Sequence, residues 1–252
     1  MKLFDITNKK VEEVEQLTFK LERDIQNLIE PNVETFFGLK FAKSEFTVDK
    51  YRVDTLCFNE ETNSFVIIEY KKGNSYSVID QGYTYLQLLL NHKSDFLLVL
   101  SQYFNKVMRF EEVDWSQSRI LFVSPSFNSY QKDSVNFKDL PFELWEIKNY
   151  SNNTVVLNQH RSNSKESIET LNPNTSDSMI TQVTKEVKVY TTEQHLSKTT
   201  QKIVDKWNLI HERLSTLDDI EIIPKSPYIS VMYNGKTVCY FNFMKKGIRI
   251  DI

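Results

Sequence analysis

The chain has 252 residues, a net charge of -3 and a hydrophobic content of 40%. This length predicts one large domain or two modest ones, and the hydrophobic content is sufficient for a buried core. The net charge excludes the class of proteins that coat nucleic acids through a strong basic excess.

The sequence predicts a cytoplasmic protein. It contains no apolar stretch long enough to cross a bilayer, and its first residues lack the apolar core of a signal peptide. Cys57 and Cys239 lie far apart in apolar runs and form no CxxC pair. We therefore expect buried thiols in a reducing compartment.

The N-terminal region predicts a short strand or extended arm followed by a helix. Residues 1–10 form the strand or arm, and apolar positions at helical spacing predict a helix over residues 11–30. Pro31 is expected to end or kink this helix. Glu22 and Gln26 are four residues apart and therefore share one helical face.

A helical turn and the first strand of a sheet follow. Residues 32–37 predict the turn, with Asn32 as its N-cap and Gly38 as its stop. Residues 39–48 predict the strand. Glu45 in this strand either reaches a cleft or is an ordinary acid on an edge strand.

The next segment predicts a β-hairpin. Two apolar runs at residues 51–58 and 65–71 are separated by a polar turn at residues 59–64. Side chains alternate between the faces of a strand, so Glu69 and Lys71 project from the same face.

The hairpin predicts a metal site. It can bring Asp54 beside Glu69, and adjacent carboxylates repel unless a cation or a proton joins them. Mg²⁺ is a hard ion that one or two carboxylates usually hold together with phosphate oxygens of the substrate. Lys71 beside it can orient an attacking water or offset charge on a phosphate. A divalent ion, two carboxylates and a lysine are the parts of a site for phosphodiester hydrolysis.

A second helix and another strand are predicted after the hairpin. In the helix, over residues 77–91, Gln81 and Tyr85 share a face. Two interpretations stay open: this pair contacts the catalytic strand or a bound nucleic acid, or it braces the helix against the sheet. The apolar run at residues 96–100 predicts a strand that is buried on both faces.

Further along the chain, strands are predicted at residues 119–124 and 142–150, with a helix between them at residues 127–135. A hairpin over residues 143–157 would complete the sheet. From residue 159 to residue 185 the composition changes to Ser, Asn and Thr with little to bury, which predicts a linker.

The C-terminal region predicts a small α+β domain. A helix should begin after Thr191 or Thr192 and continue to about Leu217. Asn234 and Gly235 favour a type I′ hairpin turn, because both central positions of that turn need positive φ. The predicted strands are residues 220–223, 228–233, 237–244 and 248–252. The predicted domains are therefore residues 1–158 and 186–252, joined by the linker.

The central motif resembles the PD-(D/E)XK nuclease superfamily, which has the restriction-endonuclease-like fold. An acid on one strand, E-x-K on the next and Q-x-x-x-Y on a helix carry the resemblance, in the residues Asp54, Glu69, Tyr70, Lys71, Gln81 and Tyr85. Longer segments, among them ERDIQNLIEPNVETFFG, RVDTL, VIIEYKK and IDQGYTYLQLLLNHKSDF, resemble a group of predicted bacterial nucleases. The C-terminal region resembles a domain of unassigned function that follows such nucleases.

One departure from this group lies just before Asp54. Related sequences often carry Gly-Arg there, whereas Lys50, Tyr51 and Arg52 precede Val53 in this chain. The missing glycine changes how closely the backbone can approach a substrate, but the carboxylate remains.

The resemblance implies an α/β fold with an αβββαβ core, a mixed central sheet and a small α+β C-terminal domain. It also implies roles for individual residues. Asp54 and Glu69 would bind Mg²⁺, with Mn²⁺ as a substitute, and the carbonyl of Tyr70 would be a third ligand. Lys71 would act on the water or the phosphate. Glu22, Gln81 and Tyr85 would assist, although Glu22 is equally well read as a solvated acid, and Glu30 shares this ambiguity.

The implied activity is metal-dependent endonucleolytic hydrolysis of DNA, in repair or in defence against foreign DNA. Arg52, Lys72 and Gln81 are the predicted nucleic-acid contacts, and Lys50 can add to the same basic cleft. A homodimer is possible, because double-strand cutters often pair two sites. The alternative is a module that keeps the fold and binds or assembles on nucleic acid without cutting it. No histidine pair has zinc-site spacing, and no phosphate-binding GxxxxGK[ST] loop is present.

Overall fold

A computed structural model describes residues 2–73, 77–137, 139–162, 164, 166 and 179–252. The chain folds into two compact units, Met1–Val187 and Lys188–Ile252. The first unit is a mixed α/β structure around a central sheet of mixed orientation, and the second contains a separate antiparallel sheet. Among the described residues, no helix combines the length and apolar character needed to span a membrane.

The first unit contains nine strands and six helices within its described residues. The strands are β1 (Leu3–Thr7), β2 (Lys10–Val14), β3 (Gln16–Leu17), β4 (Lys40–Val48), β5 (Tyr51–Asn59), β6 (Ser64–Tyr70), β7 (Arg119–Ser124), β8 (Phe142–Tyr150) and β9 (Val155–His160). The helices are α1 (Glu22–Ile29), α2 (Val33–Phe37), α3 (Val78–Asn91), α4 (Lys93–Phe104), α5 (Ser129–Ser134) and α6 (Met179–Glu186).

The central sheet has the strand order β3-β8-β7-β6-β5-β4, and β9 pairs with β8. Strands β4, β5 and β6 are antiparallel neighbours, whereas β6, β7 and β8 run parallel. The parallel pair β6 and β7 needs a long crossover, which α3 and α4 supply. This arrangement places the start of β5 and the end of β6 beside the first turns of α3.

Hydrophobic side chains bury both faces of the sheet. Ile68 and Tyr70 of β6 join one core with Ile25 and Ile29 of α1. Ile67 of β6 joins the other core, with helices α3 and α4. The alternation of side chains along β6 therefore places helices on both sides of it.

The predicted strand at residues 96–100 is wrong, because this segment lies in helix α4. Phe96, Leu97, Val99 and Leu100 are buried, while Leu98 is 60% exposed. This is the i, i+1, i+3, i+4 pattern of a half-buried helix, which a five-residue apolar run does not reveal. The order of the α-helices and strands from α1 to β7 is therefore ααβββααβ, with β7 as the final strand.

The predicted helix over residues 11–30 is also wrong in its first half. Lys10–Val14 pairs with Leu3–Thr7 in a two-stranded sheet, and Val11 is exposed. Helix α1 begins only at Glu22, where the Asp24 carboxylate accepts hydrogen bonds from two backbone N–H groups before it. This capping contact fixes a start that periodicity alone missed.

Most other predicted elements are present, with one difference in capping. Gly38 ends α2 with a φ of 64°, as predicted. Asn32 precedes α2, but its side-chain amide donates to the carbonyl of Leu28 and caps nothing. The predicted strands at residues 119–124 and 142–150 are confirmed as β7 and β8.

Much of the predicted linker over residues 159–185 lies outside the described residues. At its end, residues 179–185 form most of α6, which packs on α3 in the first unit. Gln87 donates to Gln182, and Lys93 forms an ion pair with Glu186.

The second unit packs two helices against a four-stranded antiparallel sheet. Trp207 is its central buried side chain and stands edge-on to Phe241 and Phe243. The elements are α7 (Thr192–Leu196), α8 (Gln201–Ser215), β10 (Ile220–Pro224), β11 (Ile229–Tyr233), β12 (Lys236–Met244) and β13 (Gly247–Asp251). The single helix predicted from Thr191 or Thr192 to about Leu217 is therefore interrupted between α7 and α8, whereas the predicted cap at Thr191 is confirmed, because its side chain accepts from the N–H of Gln194.

The turn between β11 and β12 is as predicted. Asn234 and Gly235 have φ values of 49° and 73°, and Tyr233 pairs with Lys236. Positive φ at both central positions gives the twist that joins two neighbouring antiparallel strands.

Candidate active site

The register of β5 and β6 brings Asp54 and Glu69 together. Thr55 pairs with Ile68, so the next positions along the two strands are Asp54 and Glu69. The Asp54 Oδ2 atom accepts a hydrogen bond of 3.1 Å from the backbone N–H of Tyr70. With Lys71, these two acids form what we call the carboxylate site.

Glu69 is held by three neighbours through a single oxygen. Its Oε1 atom accepts from Lys71 Nζ at 2.9 Å and from Gln81 Nε2 at 2.7 Å, and the Tyr85 hydroxyl lies 3.4 Å away. Its other oxygen, Oε2, is buried and has no hydrogen-bond partner among the described residues. A buried carboxylate oxygen without a partner indicates a place for a ligand or ion.

Burial sets the electrostatics of this site. Burial raises the pKa of Glu69 to about 7, and the negative charge of Asp54 adds to this effect. Burial also raises the pKa of Asp54, against the opposing effects of the Tyr70 N–H and the Lys71 charge. Two acids share one lysine, so their ionised forms leave one negative charge uncompensated. A bound cation would favour both ionised forms.

Helix α3 positions the polar side chains opposite Glu69. Ser77 caps its first turn by accepting from the N–H of Asp80. One turn later, Gln81 donates to the hydroxyl of Tyr85 at 3.1 Å, and that hydroxyl donates to the Arg52 carbonyl. Burial raises the pKa of Tyr85, so its hydroxyl stays a donor at neutral pH. The pair contacts the Glu69 carboxylate and braces α3 against the sheet, while its role in catalysis or in nucleic-acid binding stays a prediction.

Glu22 and Lys72 lie at the exposed rim of the site. The Glu22 Oε1 atom accepts from the backbone N–H of Lys72 at 2.8 Å. The negative charge of Glu22 also contributes to the raised pKa of Asp54. The Lys72 ammonium donates to the carbonyl of Lys20. This contact with the start of α1 holds Glu22 beside the carboxylates.

The remaining predicted residues divide between the two faces of the sheet. The side chain of Arg52 is 61% exposed, and its Nη1 atom lies 3.8 Å from Oε2 of Glu45. Tyr70 contributes its backbone N–H to Asp54, while its phenol contacts Thr55 in the core beneath α1. Glu30 accepts from Gln26 and Thr55 and belongs to that same internal network.

Gln26 has no predicted role, but it links α1 to the carboxylate site. This side chain is 5% exposed and donates to Glu30 at 2.8 Å and to the backbone carbonyl of Asp54 at 3.2 Å. Gln26 therefore holds the backbone of β5 at Asp54, which is a candidate catalytic residue. The signal was the spacing of Glu22, Gln26 and Glu30 at i, i+4 and i+8, which puts three polar groups on one stripe.

Within the described part of the chain, no three His, Cys, Asp or Glu side chains are grouped to hold a metal ion. The residues that fit one are two carboxylates, Asp54 and Glu69. This donor set is poor for zinc, which prefers nitrogen and sulfur, but it matches Mg²⁺, which keeps several waters. The unpartnered Oε2 of Glu69 and the uncompensated negative charge agree with that fit.

The chain has a relative that covers its whole length. Over 254 residues it is 37% identical to an uncharacterized protein of Haemophilus influenzae, and the match spans 100% of this chain and 83% of that protein. No family model matches the sequence.

Solved structures resemble the chain only over part of its length. They include a repair endonuclease from Pyrococcus abyssi, with a TM-score of 0.29, 17% identity and coverage of 52% of this chain and 49% of that one. EndoMS in its apo form has a TM-score of 0.31 and 18% identity, over 50% of this chain and 44% of that one. An EndoMS-dsDNA2 complex has a TM-score of 0.28 and 20% identity, over 57% and 60%. The matches thus span less than two thirds of each solved chain.

Proposed function

The chain belongs to the family of the uncharacterized Haemophilus influenzae protein, and we propose that it is a metal-dependent endonuclease that hydrolyses phosphodiester bonds in DNA. The single observation that carries this proposal is the carboxylate site. Asp54 and Glu69 lie on adjacent strands, Lys71 contacts Glu69, and one buried carboxylate oxygen has no partner among the described residues.

Asp54 and Glu69 would hold Mg²⁺ or Mn²⁺, with the backbone carbonyl of Tyr70 as a proposed third ligand. When bound, such an ion polarises a phosphoryl oxygen and lowers the pKa of a bound water. Divalent ions of this kind prefer oxygen ligands and usually bind together with the phosphate oxygens of their substrate. This preference supports a phosphate ester as substrate.

Lys71 supplies the fixed positive charge of the proposed mechanism. Its side chain is 10% exposed, and its ammonium is held 2.9 Å from Glu69 Oε1. A buried ammonium at this distance can orient the attacking water and stabilise the charge that develops on the phosphate. Because the position is fixed before the substrate binds, little reorganisation is needed during the reaction.

Gln81 and Tyr85 hold the carboxylate of Glu69 in one orientation. Gln81 donates to its Oε1 atom and the Tyr85 hydroxyl lies 3.4 Å from the same oxygen, whereas Oε2 has no partner among the described residues. Tyr85 also fixes the backbone of Arg52, two residues before Asp54. The two side chains therefore position groups on both strands.

DNA is the proposed substrate because most of the resembled superfamily acts on it. The cations that border the carboxylate site, Arg52 and Lys72, would contact its phosphates. Repair and defence against foreign DNA are both compatible with this chemistry. Double-strand cutters often pair two active sites, so we propose a homodimer on duplex DNA, which light scattering of the complex would detect.

The direct test is cleavage of plasmid and single-stranded DNA with Mg²⁺, with Mn²⁺ or with a chelator. The parent should cut only with metal, and Asp54→Asn and Glu69→Gln should each lower the rate on the order of 10²- to 10³-fold. Glu143→Gln is the matched control, because Glu143 is a partly buried, ion-paired acid on β8 outside the site. Equal cutting by Glu69→Gln and Glu143→Gln would refute the assignment.

A metal-binding measurement separates a wrong substrate from a wrong site. Mg²⁺ should raise the melting temperature of the parent and of Glu143→Gln, but have a much smaller effect on Glu69→Gln. A protein that binds Mg²⁺ and DNA yet cuts no duplex, single strand, flap or modified DNA would instead be a binding module.

A further inference from the structure

We propose that Arg23 and Arg52 form a phosphate subsite beside the carboxylate site, and that Glu45 occupies it when no substrate is bound. This inference rests on the proposed function, because the phosphate would belong to the nucleotide next to the bond that is cut. We call these three residues, Arg23, Glu45 and Arg52, the arginine cluster.

The geometry of the arginine cluster is that of two cations on one carboxylate. Arg23 Nη1 donates to Oε1 of Glu45, and Arg52 Nη1 lies 3.8 Å from Oε2. Each oxygen of the carboxylate therefore faces a different guanidinium. A phosphodiester also presents two oxygens that share one negative charge, and guanidinium groups match such a pair well.

The cluster borders the carboxylate site through the register of the sheet. Ser44 pairs with Thr55 and Phe46 with Val53, so Glu45 lies opposite Asp54. Residues opposite each other on antiparallel strands have Cα atoms about 5 Å apart. The arginine cluster and the carboxylate site are therefore neighbours in the sheet. Burial raises the pKa of Asp54, and the charge of Arg52 opposes this as a smaller effect.

Arg23 is fixed from the other side by the network beneath α1. Its Nη1 atom donates to Oε1 of Gln26 at 3.2 Å, and Gln26 in turn donates to the Asp54 carbonyl. The guanidinium is thus tied to the strand that carries Asp54, although 53% of its side chain is exposed. A cation that is held in place and open to solvent suits a substrate contact.

The backbone at Glu45 shows a local irregularity that a simple surface ion pair does not require. Its φ is 48°, in the left-handed region, inside strand β4. The Ser44 side chain contacts Gln26 on the α1 side, whereas Phe46 packs on Phe96 on the opposite side. Two residues at i and i+2 on opposite faces break the normal alternation, and Glu45 absorbs the reversal. Such conformations concentrate at functional sites.

These observations give Glu45 an inhibitory role in substrate binding. Its carboxylate neutralises the two arginines and keeps them in the geometry that a phosphate would meet. A phosphate must displace it, and the two negative groups then repel. Removal of the Glu45 charge should therefore strengthen DNA binding, whereas removal of either arginine should weaken it.

The test is the affinity for fluorescent single-stranded and duplex oligonucleotides in Mg²⁺, measured by anisotropy at several salt concentrations. All variants are made in a Glu69→Gln background, so that cleavage does not consume the probe. Arg23→Gln and Arg52→Gln should each weaken binding about 3- to 10-fold and reduce the slope of log affinity against log salt by about 1. Glu45→Gln should tighten binding about 3-fold.

Glu34→Gln is the matched control for Glu45→Gln. Glu34 of α2 is also an exposed acid paired to a cation, Lys40, which is the first residue of β4. It should change the affinity less than 2-fold. Equal effects of Glu34→Gln and Glu45→Gln, or unchanged affinity in both arginine variants, would overturn the subsite.

Cleavage by the parent keeps the two proposals apart. If the parent cuts DNA but the arginine variants bind as their background does, the subsite is wrong and the nuclease stands. If binding shows the expected dependence on Arg23, Arg52 and Glu45 but the parent never cuts, the nuclease is wrong and the subsite stands.

Discussion

The carboxylate site and the arginine cluster occupy neighbouring strands but differ in burial. Lys71 and Glu69 have side chains that are 10% and 5% exposed, whereas Arg23 and Glu45 are 53% and 40% exposed. Both are ion pairs at hydrogen-bonding distance. Water screens the exposed pair, while the buried pair has only protein groups to stabilise its charges. The Lys71–Glu69 pair should therefore contribute strongly to the free energy of unfolding. The Arg23–Glu45 pair should contribute little, and its arginine can exchange Glu45 for another anion.

The largest expected effect comes from breaking the buried pair. Lys71→Met should lower the free energy of unfolding by about 3–5 kcal/mol, because it leaves the buried charge of Glu69 without its cation. Denaturant titration at about pH 9, where Glu69 with its pKa of about 7 is ionised in the parent, measures this loss in the absence of divalent metal.

The double variant Glu69→Leu/Lys71→Met sharpens that test. With both charges removed, most of the lost stability should return, since hydrophobic replacement of a buried pair is often neutral. A double variant as unstable as Lys71→Met alone would show that the lysine acts through packing and not through its charge.

The network that joins the two clusters should show an intermediate effect. Gln26→Leu removes the donors to Glu30 and to the Asp54 carbonyl, and should cost about 1–3 kcal/mol. It should also lower the cleavage rate without changing which metals support cleavage, because Gln26 only positions Asp54. Asn27→Leu, at an exposed neighbouring position, is the control for the change of size and polarity.

Breaking the exposed pair should have a smaller effect on folding. Arg23→Met should change the free energy of unfolding by less than about 1 kcal/mol, because exposed ion pairs contribute little and salt screens them. Denaturant titration at low and high salt measures it. A loss as large as that of Lys71→Met would contradict the contrast between the two clusters.

A buried titratable group beside a backbone carbonyl provides the reference case. His195 of the second unit is 7% exposed and its Nε2 lies 2.8 Å from the Lys225 carbonyl. Burial lowers its pKa below the usual value of 6.5. Below pH 6.5 the unfolded chain then binds more protons than the folded chain, so stability should fall as the pH decreases from 6.5 through the folded-state pKa.

Thermal melts between pH 5 and pH 8 of the parent and of His195→Asn would measure this small contribution. The parent should lose more stability at low pH than the variant, which has no group titrating at this position. His211→Asn is the control, because this second histidine of the unit is exposed.

The strand hairpin and its acids could be predicted from local pattern alone. β-branched and aromatic runs on both sides of a polar turn determine β5 and β6, and alternation determines that Glu69 and Lys71 share a face. The Asn234–Gly235 turn was predictable for a similar reason, since its conformation depends on the two residues themselves. The site assignment on these strands remains a prediction.

Tertiary packing decided what the sequence left ambiguous. Residues 96–100 form part of helix α4 with Leu98 facing solvent, and no short sequence window shows which side chains the rest of the protein will cover. Gln26 and Glu45 acquire their contacts from strands and helices distant in sequence. Local sequence thus determined which residues can form the carboxylate site, whereas long-range packing determined which charges are buried and which stay exposed to water.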